Sequence, residues 1–254
     1  MEAWSSVLDA EVVDTSMLRQ LVDGHSKCNK IFYYLEFAAL SFRHLIMSRR
    51  LMFHHHIITR GDHELIKKVY MKQKETHTKG DWFRMLLKDF EFIGDEMNEE
   101  IIRNTPKEEY RKNINAKIKA AAFIYYLKIK EKSKRKMKPL TYTALSIQPY
   151  LTMDCFSIQE KKLLFSLRSQ CYNAKNNFKK MNRGNLRCSL NCDAEESQTH
   201  VFQSCKPILE KMGLKEVPSI NNIYGTHEEQ KTAIQVFLQI DIVRKQLLTP
   251  NPGA

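Results

Sequence analysis

Three cysteines and one histidine lie close together in the last third of the sequence, in the order Cys188, Cys192, His200 and Cys205. Thiolates and imidazoles are the ligands that zinc prefers, and four of them complete the tetrahedral shell of a structural site. A turn can hold the first pair. A helical turn can bring His200 and Cys205 to one side, because residues four or five positions apart share a helix face. The spacing predicts a CCHC zinc knuckle, with no coordination position left open for catalysis.

The alternative is that these four side chains are simply buried. Free cysteine behaves as a small hydrophobic residue in protein interiors, and the histidine would then be an ordinary core residue. The first pair also has C-x3-C spacing, which is less common than C-x2-C but is allowed. Half of the six cysteines fall in this one window, and we therefore favour zinc. Cys28, Cys155 and Cys171 are interpreted as isolated buried residues without special chemistry.

Composition constrains the partners and the compartment. The chain has 254 residues, is 43% hydrophobic, contains eight glycines and seven prolines, and carries a formal net charge of +12. The hydrophobic content indicates a globular protein, and the few turn residues argue against sandwiches and barrels. The positive charge favours nucleic acid as the partner, with an anionic membrane surface as the second candidate. Because neither a transmembrane run nor a secretory signal is visible, we expect reduced thiols in an intracellular compartment.

The hydrophobic pattern predicts a mainly α-helical protein. Ile31 to Ile58 contains hardly any turn residue and is predicted to be one helical run. His54, His55 and His56 lie inside this run. Neighbouring helix positions point about 100° apart, so three consecutive histidines cannot face one ion, and we assign no site to them.

Helix starts are clearest at three places in the sequence. Thr105-Pro106 precedes a predicted helix that reaches about Lys132. One face of this helix is predicted to carry Ile114, Ile118, Ala121, Tyr125 and Ile129. Capping boxes at Ser157–Glu160 and Thr226–Glu229 are predicted to begin two later helices.

Cations concentrate in two stretches that we predict to contact nucleic acid. The first ends the predicted long helix and comprises Lys132, Lys134, Arg135 and Lys136, which also resemble a nuclear import signal. The second, free of acidic residues, comprises Lys161, Lys162, Arg168, Lys175, Lys179, Lys180, Arg183 and Arg187. The simpler explanation for the first stretch is that cations favour helix C-termini. Tyr172 and Phe178 lie among the second set, where stacking on bases and packing on the knuckle are both open interpretations.

Several runs of the sequence resemble the C-terminal region of reverse transcriptases from LINE-like, non-LTR retrotransposons, downstream of the polymerase palm. They are, in chain order, HSKCNKIFYYLEF, RHLIMSRRLMFHHHIITR, KVYMKQKETHTKGDW, QPYL, LLFSLRSQCYNAKNNFKK and CSLNC…EESQTHVFQSC. The resemblance extends from about His25 to the end. It implies a thumb-like helical region, a helical connector and a CCHC zinc knuckle whose ligands match Cys188, Cys192, His200 and Cys205. In that family the region is thought to help hold template RNA and target DNA during target-primed reverse transcription.

The sequence departs from the family pattern in two places. The family usually spaces the first ligand pair as C-x2-C, so Asn191 or a neighbour corresponds to an insertion. The family usually has Gly and Pro where Phe37 to Ser41 stands here.

The principal expectation is a zinc-stabilised, nucleic-acid-binding C-terminal fragment of a non-LTR retrotransposon reverse transcriptase. Residues 1–138 are predicted to form the thumb-like and connector region, 139–156 a linker, and 157–254 the basic helix, the knuckle and a C-terminal helix. RNA or DNA and the rest of a retroelement polyprotein are the expected partners, with the nucleus as the compartment and the cytoplasm as its alternative. Polymerases hold two metal ions with paired aspartates, and no Asp-Asp pair occurs here, so neither a palm nor enzymatic activity is expected.

Two alternatives come from other classes of protein. One is an all-helical protein-interaction scaffold whose charge serves solubility. The other is a pseudogene product that folds poorly because the apolar surface of its thumb-like region lacks a palm to cover it.

Overall fold

The computed structural model describes residues 15–24, 28–76, 81–132, 140–178 and 185–249. This part of the chain is mainly α-helical, as predicted, and its only β-type pairing is one antiparallel bridge between Arg187 and Glu195. Its contacts divide it into two compact units. None of its helices combines the length and apolar character that crossing a lipid bilayer requires.

We number the α-helices in chain order. They are α1 (Lys30–Glu36), α2 (Phe42–Ile58), α3 (Leu65–Thr76), α4 (Trp82–Ile93), α5 (Glu99–Asn104), α6 (Lys107–Lys132), α7 (Pro149–Thr152), α8 (Ile158–Arg168), α9 (Lys206–Met212) and α10 (His227–Leu248). Residues 15–21 are also helical. Short 3₁₀ turns occur at Lys175–Phe178 and Ile220–Tyr224, and a π-helix at His200–Ser204.

The first unit contains residues 38–76, 81–132 and 142–146. Helix α2 is its centre and packs against α3, α4, α5 and α6. The core between these helices includes Leu51, Ile58, Leu86 and Ile118, all without solvent exposure. Asp81 caps α4 by accepting a hydrogen bond from the Arg84 amide, as expected for an aspartate at this position.

The three consecutive histidines of α2 are structural. His54 and His55 are buried, whereas His56 is exposed. His54 Nε2 hydrogen-bonds to the Tyr70 hydroxyl at 3.1 Å, and His55 Nε2 donates to the Thr105 carbonyl at 3.0 Å. These two side chains therefore join α2 to its neighbours in the first unit.

Helix α6 buries a face that differs in part from the predicted one. It ends at Lys132, as predicted, and buries Tyr110, Ile114, Ile118, Ala122 and Tyr126. These positions recur every fourth residue. Ala121 is partly buried and Tyr125 is exposed, so the prediction for the second half of this face was wrong by one position. The buried tyrosine is Tyr126, and its hydroxyl accepts a hydrogen bond from the Ser41 amide.

The predicted helical run from Ile31 to Ile58 is interrupted, which corrects that prediction. Helix α1 ends at Glu36 and α2 begins at Phe42. Between them Ala38 has a φ of 52°, in the left-handed region that glycine adopts most readily. An alanine therefore occupies a backbone conformation that a glycine would adopt at lower cost.

The second unit contains residues 15–24, 28–37, 140–141, 147–178 and 185–249. Helix α10 packs against α8, α9 and both the π-helix and the Ile220–Tyr224 turn. The predicted capping boxes are confirmed at the starts of α8 and α10. Residues 15–24 and 28–37 belong to this unit, whereas the sequence-based division places them in the segment 1–138.

Candidate metal centre

The four predicted ligands converge at one point in the second unit. One ligand atom from each of Cys188, Cys192, His200 and Cys205 lies within 4.8 Å of the other three. Cys205 Sγ is 3.9 Å from Cys188 Sγ and 3.7 Å from Cys192 Sγ. Cys188, His200 and Cys205 are buried, and Cys192 is partly exposed. The arrangement is a compact Cys3His cluster that can hold a metal ion.

A turn positions the first two cysteines. The Asn191 amide donates to the Cys188 carbonyl at 3.1 Å, and the Leu190 amide donates to Cys188 Sγ at 3.4 Å. Asn191 has a φ of 59°, a left-handed conformation that asparagine tolerates better than most residues. With the C-x3-C spacing, this turn places both sulfurs close to Cys205.

A single turn of π-helix positions the other two ligands. His200–Ser204 form this single turn, and Cys205 follows it. Hydrogen bonds in a π-helix join residues five apart, which is the separation of His200 and Cys205. Ser204 Oγ lies 3.3 Å from His200 Nδ1, whereas His200 Nε2 is buried without a hydrogen-bond partner. This nitrogen is therefore free to coordinate an ion.

Burial and mutual crowding oppose charge on these side chains in the metal-free state. Burial raises the pKa of Cys205, and the neighbouring thiols of Cys192 and Cys188 raise it further. Burial also raises the pKa of Cys192 and lowers that of His200. A divalent cation would reverse this effect for the cysteines, because it stabilises thiolates, whereas the lowered pKa of His200 already favours the neutral imidazole that binds metal.

Glu196 supports the cluster from outside the ligand set. Its carboxylate is almost fully buried. One oxygen accepts a hydrogen bond from the Ser189 amide at 2.7 Å, within the turn that holds the first cysteine pair. The other accepts from Arg244 at 2.8 Å and from the Lys175 amide at 3.3 Å. Burial opposes ionisation, but the Ser189 hydrogen bond and the Arg244 charge outweigh it and lower the pKa of Glu196.

Sequence reasoning missed both partners of this ion pair. Glu196 ends the acidic run that starts at Asp193, and its sequence context indicates no role for it. Arg244 had been assigned no role, although it lies four residues after Ile240, which α10 buries. Residues four positions apart lie on the same helix face, so this spacing could have indicated that Arg244 is buried.

Some of the cations predicted to contact nucleic acid are accessible. Lys132 in α6 and Arg187 are exposed, and Lys161, Lys162 and Lys175 are partly exposed. Lys162 pairs with Asp23 at 2.6 Å, and Lys175 Nζ donates to the Arg187 carbonyl at 2.8 Å. Lys134, Arg135, Lys136, Lys179, Lys180 and Arg183 lie outside the described residues.

Arg168 does not fit the predicted role, because its side chain is buried. Its guanidinium pairs with the carboxylate of Glu36, with 3.3 Å between Nε and Oε2, and donates to the Ile223 carbonyl at 3.0 Å. The Glu36 carboxylate also accepts a hydrogen bond from the Tyr150 hydroxyl at 2.7 Å. Arg168 therefore joins elements of the second unit and is unavailable to a phosphate.

The two aromatic residues of the basic stretch pack inside the second unit. The Tyr172 ring lies edge-on to Phe202, with centroids 4.7 Å apart, and its hydroxyl donates to Asp241 at 2.7 Å. Phe178 is also buried. Of the two interpretations that the sequence left open, packing describes both side chains.

No protein-family model matches the chain, and comparison with curated proteins and with solved structures finds no match either.

Proposed function

We propose that this chain is a zinc-stabilised, nucleic-acid-binding C-terminal region of a non-LTR retrotransposon reverse transcriptase. The observation that carries the proposal is the convergence of Cys188, Cys192, His200 and Cys205. These are the residues that the resemblance assigns to a CCHC knuckle, and they come together although seventeen positions separate the first from the last.

The spacing of the sulfurs favours zinc as the metal. Zinc–sulfur bonds of about 2.3 Å in a tetrahedral shell place the sulfur atoms about 3.8 Å apart. The measured separations of 3.7 and 3.9 Å lie on either side of that value. A tetrahedral Cys3His site is closed, so the zinc supplies folding free energy rather than catalysis.

Nucleic acid is the proposed partner because the chain carries a formal net charge of +12 and exposes cations in both units. Lys132 lies in the first unit, and Lys161 and Arg187 lie in the second. Lysine and arginine on a protein surface contact phosphates and position a protein on nucleic acid with little base readout. We place this activity in the nucleus, where the resembling proteins act on DNA.

Two measurements on the full-length chain test the proposal. The first is zinc content after purification, compared between the wild-type chain, Cys188→Ser and Cys155→Ser. Cys155 is exposed, which corrects the prediction that it is buried, and it lies outside the cluster, which makes it a matched control. We expect one zinc per chain in the wild type and in Cys155→Ser, and a large loss in Cys188→Ser.

The second measurement is binding to a single-stranded RNA and to a DNA duplex at several salt concentrations. We expect the affinity for at least one of them to fall steeply between about 50 and 200 mM salt, because binding releases counterions from phosphates. A chain that retains zinc but binds neither nucleic acid at low salt would favour the interaction-scaffold alternative. A chain without zinc would contradict the knuckle.

A further inference from the structure

Three aromatic side chains form a cluster at the surface of the first unit. Phe53 is 44% exposed, His56 is exposed, and Trp82 is partly exposed. The rings of Phe53 and His56 lie within 20° of parallel, with centroids 6.2 Å apart. The Trp82 ring is perpendicular to that of Phe53, with centroids 5.7 Å apart. A single exposed aromatic residue needs no explanation, whereas an exposed cluster of them points to an interaction site.

Helix geometry places one arginine on either side of this cluster. Arg49, Phe53 and His56 follow one another in α2 at intervals of four and three residues, so they share one helix face. Arg60 lies four residues beyond His56, just after α2 ends. Its amide donates a hydrogen bond to the Ile57 carbonyl at 3.2 Å, which continues the turn of the helix. We call the surface formed by Arg49, Phe53, His56, Arg60 and Trp82 the aromatic face.

Both arginines of the aromatic face are accessible to an anionic partner. Arg49 is exposed, and its side chain makes no ion pair or hydrogen bond within the described part of the chain. Arg60 pairs with Glu64 at 3.6 Å, but both side chains are about one-third exposed or more, and such pairs are weak. The carboxylate of Asp81, next to Trp82, is engaged in capping α4.

The core of the first unit holds Trp82 in place. Trp82 packs against that core, and its ring lies 6.3 Å from the rings of both His54 and Tyr70. Those two side chains are themselves joined by a hydrogen bond of 3.1 Å. The ring against which Phe53 packs is therefore fixed before any partner binds, which lowers the entropic cost of binding.

We propose that the aromatic face binds single-stranded nucleic acid, with unpaired bases stacked on Phe53 and His56 and with Arg49 and Arg60 on the flanking phosphates. This inference rests on the proposed function, and it assigns single strands to one surface of the first unit. Every base presents a flat apolar face, so stacking on aromatic side chains tolerates any sequence. A duplex keeps these faces inside its own stack, so the aromatic face selects single strands.

The charges favour a nucleic acid over a protein as the occupant of this surface. An apolar protein surface would gain nothing from a cation at each end of the aromatic face. A polynucleotide uses both features, because its bases and its phosphates alternate with the rings and the guanidinium groups. The formal net charge of +12 acts in the same direction.

The first test measures the affinity of the full-length chain for a fluorescent oligouridylate. Phe53→Leu keeps an apolar side chain but removes the ring, and we expect it to weaken binding by about 5-fold or more, the loss of one stacked base. Phe53→Trp restores an aromatic ring and should bind as tightly as the wild type. Arg49→Gln should lower the slope of log affinity against log salt by about 0.7, the value for one phosphate contact on a single strand.

Two controls separate loss of stacking from loss of structure. Tyr125 is 38% exposed on α6 of the same unit and lies outside the aromatic face, so Tyr125→Leu should leave the affinity for the oligouridylate unchanged. Phe53→Leu should bind a DNA duplex as the wild type does. Its thermal unfolding midpoint should stay within about 4 °C of the wild-type value, because Phe53 is substantially exposed.

Photochemical cross-linking locates the contact directly. An oligouridylate that contains iodouridine is irradiated in complex with the wild-type chain, and the adducts are mapped by mass spectrometry. We expect adducts on the peptides that contain Phe53, His56 or Trp82.

The outcomes distinguish this inference from the proposed function. If the chain binds the oligouridylate, Phe53→Leu binds it equally well and the adducts lie on other peptides, the inference is overturned while nucleic-acid binding stands. The aromatic face would then be a surface for another protein. A chain that binds the duplex but no single strand would also overturn the inference alone. A chain that binds neither at low salt would overturn both.

Discussion

Glu196 and Arg244 form a buried ion pair that connects the turn of the metal cluster to the last helix of the second unit, with Oε1 and Nη2 2.8 Å apart. Both side chains are almost fully buried. The other carboxylate oxygen of Glu196 holds the Ser189 amide, between two of the cysteine ligands. Arg244 also donates to the Asn173 carbonyl at 3.0 Å. One carboxylate thus fixes the position of the cysteine turn relative to α10.

Glu196→Gln is expected to weaken both metal binding and folding. The amide keeps the size of the side chain but removes the charge that pairs with Arg244. Loss of one partner of a buried ion pair costs about 3–5 kcal/mol in the free energy of unfolding. Loss of support behind metal ligands typically lowers metal affinity by about 10-fold or more. Competition with a chromophoric zinc chelator measures the affinity, and urea denaturation measures the stability.

The neighbouring residue provides the control for this experiment. Glu195 is exposed, so Glu195→Gln is expected to change zinc affinity less than about twofold and stability by less than about 0.5 kcal/mol. Equal effects of the two variants would show that net charge near the cluster matters, rather than the buried contact of Glu196.

Arg168→Met is expected to destabilise the second unit without removing a nucleic-acid contact. The substitution removes the Arg168 guanidinium from the buried Glu36 carboxylate, at an expected cost of about 3–5 kcal/mol. Lys162→Met is the control. The Asp23 carboxylate with which Lys162 pairs is largely exposed, so this change should cost less than about 1 kcal/mol.

Two measurements separate the roles of these two residues. Urea denaturation gives the loss of stability, and the salt dependence of nucleic-acid binding gives the number of phosphate contacts. Arg168→Met should keep the salt dependence of the folded chain unchanged. A lower salt dependence together with wild-type stability would show that Arg168 contacts phosphate after all.

The sequence predicted the features that depend on neighbouring residues. Cys188, Cys192, His200 and Cys205 lie within one short segment, and a turn followed by a helical turn is enough to bring them together. The capping boxes at Ser157 and Thr226 depend only on residues three positions apart, and the structure contains both.

The sequence failed where a contact joins distant residues. By residue type Arg168 is expected on the surface. It is buried because it pairs with Glu36, which lies more than a hundred residues earlier in the sequence. In α6 the pattern predicted Tyr125, whereas the buried residue is Tyr126, which hydrogen-bonds to His44 across the first unit.

Stability of the first unit is expected to depend on pH through His54. Burial lowers the pKa of His54 to about 4; the nearby Lys67, Lys74 and His55 act in the same direction, and Glu99 acts against them. The unfolded chain takes up this proton near pH 6.5, whereas the folded chain resists it until about pH 4. The contribution of neutral His54 to the free energy of unfolding is therefore fully present above pH 6.5. It is lost as the pH falls towards 4, by about 3 kcal/mol in total.

The measurement for His54 is the free energy of unfolding at pH 7.5 and at about pH 4, in the wild-type chain and in His54→Gln. The variant lacks the titrating group, so the free energy of unfolding should differ between the two pH values by about 2–3 kcal/mol less than in the wild-type chain. His56→Gln is the matched control, because His56 is exposed on the same helix and should leave the difference unchanged. An undiminished pH dependence in His54→Gln would contradict the assignment.

The salt dependence of nucleic-acid binding is expected to show how many accessible cations of the second unit contact phosphates. Arg187 is exposed and Lys161 is partly exposed, and both belong to the stretch that lacks acidic residues. Each phosphate contact contributes about 0.7 to the slope of log affinity against log salt for a single strand and about 0.9 for a duplex. The double variant Lys161→Gln with Arg187→Gln should therefore reduce the slope by about 1.4 to 1.8.

Lys211→Gln is the control, because it changes an exposed cation of α9 outside this stretch and should leave the slope unchanged. If Lys211→Gln lowered the slope by about half as much as the double variant does, binding would follow the net charge of the chain, and the basic stretch would have no special role.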